Sequence, residues 1–187
     1  MKFDPTTKLF MMDGKPVEPQ PKVTVLAGTG HRKIGKNEQT ITADGVIYNG
    51  IRSYLIDLLI ALSPREVISG MAIGYDLALA DAACQARIPF VAAIPYRGHG
   101  EMFGKANRSK HDTLVGFASR VVHTSEDYRN AGVYVVRDRW MVDNSEFLFA
   151  FYDGRGVGGT KLTMDYAESK GKVVVNLWDH KPDWEKV

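Results

Sequence analysis

Residues 146–172, EFLFAFYDGRGVGGTKLTMDYAESKGK, run from an apolar stretch through a glycine-rich turn into a helical pattern. Phe147 to Tyr152 reads as a strand buried on both faces, and Gly154, Gly156, Gly158 and Gly159 follow directly. Such glycines let the backbone approach a ligand without Cβ clashes. A helix opening near Thr160 adds unpaired N–H groups and a positive dipole end, a combination suited to phosphate. A surface turn would use the same glycines, so the reading rests on which other loops share the edge. VTVLAGTGHRKIG places Gly28, Thr29, Gly30, His31 and Arg32 where the first strand-to-helix turn of a doubly wound fold meets its ligand. The fork of Arg32 suits phosphate or carboxylate, against the alternative of a solvated loop arginine. In SGMAIGYDLALADAA, Gly70 and Gly74 bracket a tight turn after Ser69. Asp76 then falls in the first helical turn, as a cap or as a site acid.

The same residues exclude one common chemistry. A dinucleotide dehydrogenase needs a third glycine three residues beyond Gly30 and an acid ending the second strand, but Lys33 stands at the first position and Ser69-Gly70 at the second. The histidines, His31, His99, His111, His123 and His180, show no His-x-x-x-His spacing, and Cys84 is the single cysteine, so no sequence-local metal motif is present. No metal and no cofactor are expected. A net charge of +2 is too small to suggest a polyanion binder, so nucleic acid is not the expected partner. The first 20 residues carry Asp4, Asp13 and Glu18 and no long apolar core, and no window has the ~18 apolar residues of a membrane span. The expectation is a cytoplasmic protein without a membrane partner; a homo-oligomer is left open.

The elements that must position these loops alternate. Strands are expected at Lys22–Gly28, Glu66–Ser69, Pro89–Ile94, Arg120–His123, Phe147–Tyr152 and Val173–Leu177, and helices at Gly45–Ser63, Tyr75–Arg87, Lys105–Ala118, Gly132–Asn144 and Thr160–Ser169. This predicts right-handed βαβ units and an α/β fold: a Rossmann-like, doubly wound, mostly parallel sheet with helices on both faces. The glycine-marked loops after the first, second and fifth strands would then share one edge. At 187 residues and 44% apolar content, one such domain over residues 21–187 accounts for the chain. Ahead of it, Asp13-Gly14 in KLFMMDGKPV is a hairpin signal for an arm over residues 1–20, and Pro5, Pro16, Pro19 and Pro21 mark the linker.

Thr29-Gly30-His31-Arg32, then Ser69-Gly70-Met71-Ala72-x-Gly74-x-Asp76, then RDRWMVDNSEFLFAFYDGRGVGGT resemble, in order and spacing, the YpsA-type branch of the SLOG superfamily, relatives of the DNA-processing protein DprA and of the LOG phosphoribohydrolases. The resemblance covers about residues 22–178. It implies a pocket for a nucleotide or nucleotide-derived ligand, such as a nucleoside phosphate, ADP-ribose or an NAD-like molecule. LOG enzymes cleave the N-glycosidic bond of nucleoside monophosphates. Their spacing of an Arg four residues before a Met matches Arg137 and Met141, and Gly158-Gly159-Thr160 matches their phosphate turn. Where LOG proteins place a catalytic Glu stands Thr163, which cannot act as general base. Catalysis would need Asp76 or Asp153 from another loop, with Arg137 beside it. Of Arg137 and Arg139, two positions apart on one helix, one is expected to reach the ligand.

The expected ligand-binding set is therefore Gly28, Thr29, Gly30, His31, Arg32, Gly70, Met71, Gly74, Asp76, Arg137, Arg139, Asp153, Gly154, Gly158, Gly159 and Thr160. Pro95–His111 reads as a lid offering Tyr96 or Phe103 to a base, or as a surface loop. Trp140 and Met141 read as core. Three functions fit: a nucleotide-ligand sensor or weakly defined enzyme, an N-glycosidase, and, by analogy with DprA, a single-stranded DNA module.

Overall fold

The computed structural model describes residues 2–4, 6–18, 20–34 and 39–178; Pro5, Pro19 and His180 lie outside the described residues. In chain order the elements are β1 (Lys2–Asp4), β2 (Leu9–Met12), β3 (Lys15–Pro16), β4 (Val25–Gly30), β5 (Lys33–Ile34), β6 (Gln39–Thr40), α1 (Val46–Leu62), β7 (Glu66–Ser69), α2 (Tyr75–Gln85), β8 (Phe90–Ile94), a 3₁₀ turn (His99–Met102), α3 (Lys105–Phe117), β9 (Arg120–His123), α4 (Gly132–Asp143), β10 (Phe147–Phe151), α5 (Gly159–Ser169) and β11 (Val173–Asn176).

Six strands form one sheet in the order β11-β10-β4-β7-β8-β9, with every pairing parallel. The chain winds outward from β4 to β9, then crosses back to build β10 and β11 on the other side of β4. That reversal puts the topological switch point between β4 and β10, where ligands of open α/β sheets bind.

Side-chain alternation assigns the two faces. Leu26, Val67, Phe90, Ala92, Phe147, Phe149 and Phe151 enter one core with α1 and α2, while Ala27, Ile68, Val91, Ala93 and Leu148 enter a second core with Met141, Val142 and Ala167. Met141 is thus core, as expected, and Trp140 packs at its margin.

The first strand ends two residues later than expected. Its last residues, Thr29 and Gly30, pair with Ala150 and Phe151 of β10, so they belong to the sheet and the loop proper begins at His31. The antiparallel pair β5–β6 between β4 and α1 was not foreseen.

At the N-terminus β1, β2 and β3 form an antiparallel sheet that turns at Asp13-Gly14, where both φ values are positive (53° and 77°), as a tight hairpin of this hand requires. Phe3 and Phe10 stack toward Phe149 and Phe147, at centroid distances of 5.5 and 5.2 Å. The Gln20 side chain accepts the Phe10 N–H (2.6 Å) and donates to the Phe10 and Val17 carbonyls, tying this sheet to the chain that enters β4.

Candidate functional site

At the carboxyl edge of the sheet, the ends of β4, β7, α4 and α5 enclose a cleft of about 340 Å³. Thr29 and Gly30 line it from β4, His31 and Arg32 from the loop that follows, Ala72 from the turn before α2, Asp76 from the first turn of α2, Tyr134, Arg137 and Asp138 from α4, and Gly159 and Thr160 from α5.

Its floor is a buried ion pair. The Arg137 guanidinium, 4% exposed, lies 3.7 Å from Asp76 Oδ2, donates to the Gly70 carbonyl, and donates through Nε to Asp138 Oδ1 at 2.7 Å. Gly70 is required for this arrangement: a Cβ there would lie 2.6 Å from Asp76 Oδ2 and would overlap the guanidinium. The turn behind it is held by the Ser69 hydroxyl, which donates to the Asp76 carbonyl (2.7 Å) and accepts the Met71 N–H (3.2 Å). Burial pushes the Asp76 carboxyl up to about 6; Arg137, Arg32 and the Ala72 N–H oppose that shift and Asp138 adds to it.

The wall opposite is the start of α5. Gly158 precedes the helix in extended conformation and no side chain caps it, so the first amides lack an intrahelical acceptor. Nothing lies within 4 Å of where a Cβ on Gly158 or Gly159 would sit.

A strut crosses the switch point beside the cleft. His31 Nε2 lies 2.8 Å from Asp153 Oδ1 and 3.1 Å from the Asp153 backbone nitrogen, and Arg155 pairs with the same carboxylate. Burial would raise Asp153, but the backbone N–H and guanidinium of Arg155, with His31, outweigh it and hold the carboxyl below its ordinary value. Burial, helped by the Arg155 charge, holds His31 below its ordinary value although Asp153 lifts it. Asp153 is thus an ionised brace between loops, whereas Asp76 is the carboxyl near neutrality in the cleft.

The structure separates the expected set into groups. Thr29, Gly30, His31, Arg32, Asp76, Arg137, Gly159 and Thr160 line the cleft. Gly28 and Gly30 have a packing reason for lacking side chains, since a Cβ on either would overlap α2: Leu79 for Gly28 and Tyr75 for Gly30. Gly74, at φ +92°, lets its turn touch the first loop, with a Cβ position only 2.6 Å from the His31 carbonyl oxygen. Met71 is fully buried, and Gly154 and Gly158 face open space. Arg139 leaves the cleft altogether, its guanidinium lying 5.1 Å from the Tyr166 ring centroid. Thr163 is buried, and its hydroxyl donates back to the Gly159 carbonyl at 2.8 Å.

Of the lid expected over Pro95–His111, Tyr96 stands near the cleft, whereas Phe103 packs edge-on against His99 and His111. Sequence reasoning did not select Ala72 or Asp138 for the cleft; it gave Ser125–Tyr134 either a place at the pocket border or a capping role for the following helix, and Tyr134 lines the cleft. Tyr134 precedes Arg137 by one helical turn, a spacing that puts both on one face.

A family model described as the YspA SLOG family matches residues 29–177. No match is found among curated proteins. Among solved structures, the DNA processing protein DprA from Streptococcus pneumoniae is 20% identical over 82% of this chain and 50% of its own, with a TM-score of 0.56. DprA from Helicobacter pylori, solved for its single-stranded DNA binding mode, is 15% identical over 82% of this chain and 64% of its own, also at 0.56. TM1055 is 15% identical over 84% of this chain and 79% of its own, at 0.54. The chain thus spans half to about two thirds of the DprA chains, and at these identities the likeness is one of fold. A DNA-binding neighbour leaves the charge-based expectation against nucleic acid without support. Among the described residues no helix is long and apolar enough to cross a membrane.

Proposed function

The chain belongs to the YspA SLOG family, and from that premise we propose that its cleft binds a nucleotide or nucleotide-derived ligand, with the phosphate as the anchoring group. The observation that carries this reading is the convergence on one cleft of an uncapped helix start at Gly159-Thr160, the Arg32 side chain and the buried Arg137. Phosphate binds where free amides and a helix dipole meet a cation. In this reading the phosphate lies against Gly159, Thr160, Thr29, Gly30 and Arg32, and the ribose lies over the Asp76–Arg137 floor. A cleft of about 340 Å³ is within the range of small-molecule sites, ~300–1,000 Å³.

Binding without turnover is the function we favour, because Thr163, at the position of the LOG glutamate, is buried and engaged with Gly159. A second reading, N-glycosidic cleavage, has one observation in its favour: Asp76 is a cleft carboxyl raised to about 6, which suits general acid–base work near neutral pH. Calorimetry with AMP, ADP-ribose, NAD and adenosine, followed by chromatography of each mixture, tests both. Saturable binding of the phosphorylated ligands with no released base supports the first reading, base release supports the second, and equal binding of adenosine and AMP overturns the phosphate anchor. Tight, salt-dependent binding of single-stranded DNA with no mononucleotide affinity would assign the cleft to nucleic acid.

A further inference from the structure

Beside Arg32 in the cleft, residues from two separate loops and from the start of α4 build an aromatic cluster. Tyr134 lines the cleft itself and carries the Arg32 guanidinium 5.6 Å from its ring centroid. Tyr96, from the turn after β8, and Tyr128, from the loop before α4, close on it: Tyr96–Tyr128 is 5.2 Å, Tyr96–Tyr134 6.3 Å and Tyr128–Tyr134 6.4 Å between centroids. His99, 3% exposed, stands edge-on behind Tyr96 and Tyr134 at 5.4 and 5.8 Å and fixes both rings from the protein side. Tyr128 is 54% exposed, so the outer side of the cluster is open. Tyrosine supplies a rigid aromatic face with a hydroxyl that tolerates water, the composition of a wet stacking surface.

We propose that Tyr96, Tyr128 and Tyr134 form the base-stacking wall of this site, so that its ligand is a phosphate ester bearing a planar heteroaromatic ring. The inference rests on the phosphate reading above: Arg32 touches both the cleft and Tyr134, so a phosphate held at Arg32 delivers the attached base to the tyrosines. Two rival places for the base are less suitable. The cleft floor is filled by the Asp76–Arg137 pair and offers no ring. The apolar slot between α4 and α5, lined by Val135, Leu162 and Tyr166, has its one ring engaged by Arg139 and Lys170, at 5.1 and 5.2 Å from the centroid.

The test titrates wild type, Tyr128→Leu, Tyr134→Leu, Tyr134→Phe and Leu162→Glu with ribose 5-phosphate, AMP, adenosine and a short oligo(dT), with melting curves to establish folding. Tyr128→Leu, at an exposed position, is the variant whose folding is least at risk. Each Leu variant should weaken AMP about 5- to 150-fold, the range of one lost base–aromatic stack; Tyr128→Leu, which does not touch Arg32, should leave ribose 5-phosphate unchanged, and Tyr134→Phe should retain AMP affinity. Parallel losses for oligo(dT) would make a nucleic-acid strand the source of the base; losses for AMP alone would make it a free nucleotide. Unchanged AMP affinity in folded Leu variants overturns the wall, and a loss on Leu162→Glu instead would move the base to the slot between α4 and α5. A wild-type protein that binds AMP no tighter than adenosine fails the phosphate reading itself, a result distinct from loss of the wall alone.

Discussion

Arg137→Met should destabilise the protein in a pH-dependent way that identifies Asp76 as its partner. The substitution keeps a long apolar stem but strips the guanidinium from the Gly70 carbonyl and from the carboxylates of Asp76 and Asp138. Removing one member of a buried ion pair costs about 3–5 kcal/mol, because the other is left charged and unpaired. The sign of the pH dependence follows from Asp76. Burial raises its folded-state value from 3.8 to about 6 even with Arg137 opposing the shift, and without Arg137 it moves higher. A carboxyl whose folded value lies above its unfolded value takes up a proton on folding, so its ionisation costs stability as pH rises through that window and the cost is relieved as pH falls. The gap between wild type and Arg137→Met is therefore expected to be about 3–5 kcal/mol at pH 8 and to shrink at pH 5 toward the ~1–3 kcal/mol of an unsatisfied buried carbonyl. Urea denaturation at the two pH values measures it. Adding Asp76→Asn to Arg137→Met should recover part of the loss at pH 8 and little at pH 5. An equal loss at both pH values, with no recovery in the double variant, would refute the pairing.

Gly159→Val should abolish binding of phosphorylated ligands yet leave the melting temperature near wild type, because the added side chain enters open space in the cleft rather than protein; calorimetry beside a thermal melt checks both halves. Arg32→Ala should weaken AMP by about 1.5–3 kcal/mol, the worth of a charge-assisted hydrogen bond, and adenosine far less; equal losses for the two ligands would make Arg32 structural. Wild type saturated with AMP should release no adenine in a chromatographic time course, and if adenine does appear, Asp76→Asn should stop it while Asp153→Asn, which weakens the brace to His31 and Arg155 beside the cleft, should not. Thr163→Glu offers no rescue of hydrolysis, since the position is buried and turned into its own helix; adenine release by that variant would show the helix start to be misread.

Strand positions were legible because period-two alternation and apolar runs respond to burial on one face or both. Glu66–Ser69 and Arg120–His123 fall where the pattern put them, and Phe147–Phe151 is buried at every position. The end of β4 was not, because Thr29 and Gly30 look like loop residues until β10 lies alongside to pair with them. Turn glycines were easy to notice and hard to interpret: Gly28 and Gly30 owe their absent side chains to Leu79 and Tyr75, contacts that exist only once α2 packs on the sheet. Asp76 and Arg137, 61 positions apart in the chain, could be nominated singly, but their pairing through the space above Gly70 depends on the crossing of α4 over β7. His31 and Asp153 are separated by 122 residues, so a brace between them could only be read after the switch point was built. The cleft's own tyrosine, Tyr134, was legible only as the end of Ser125–Tyr134, a segment that could border the pocket or cap the next helix; the signal that singles it out is the helical spacing to Arg137.

The most direct test of the central claim is an amide-resolved NMR titration of the wild-type protein with AMP. Binding of the phosphate at the start of α5 predicts saturable shifts concentrated on the amides of Gly159, Thr160 and Gly30 to Arg32, reproduced by ribose 5-phosphate and absent with adenosine at the same concentrations. Saturable shifts that bypass Gly159 and Thr160, or that appear equally with adenosine, would contradict it.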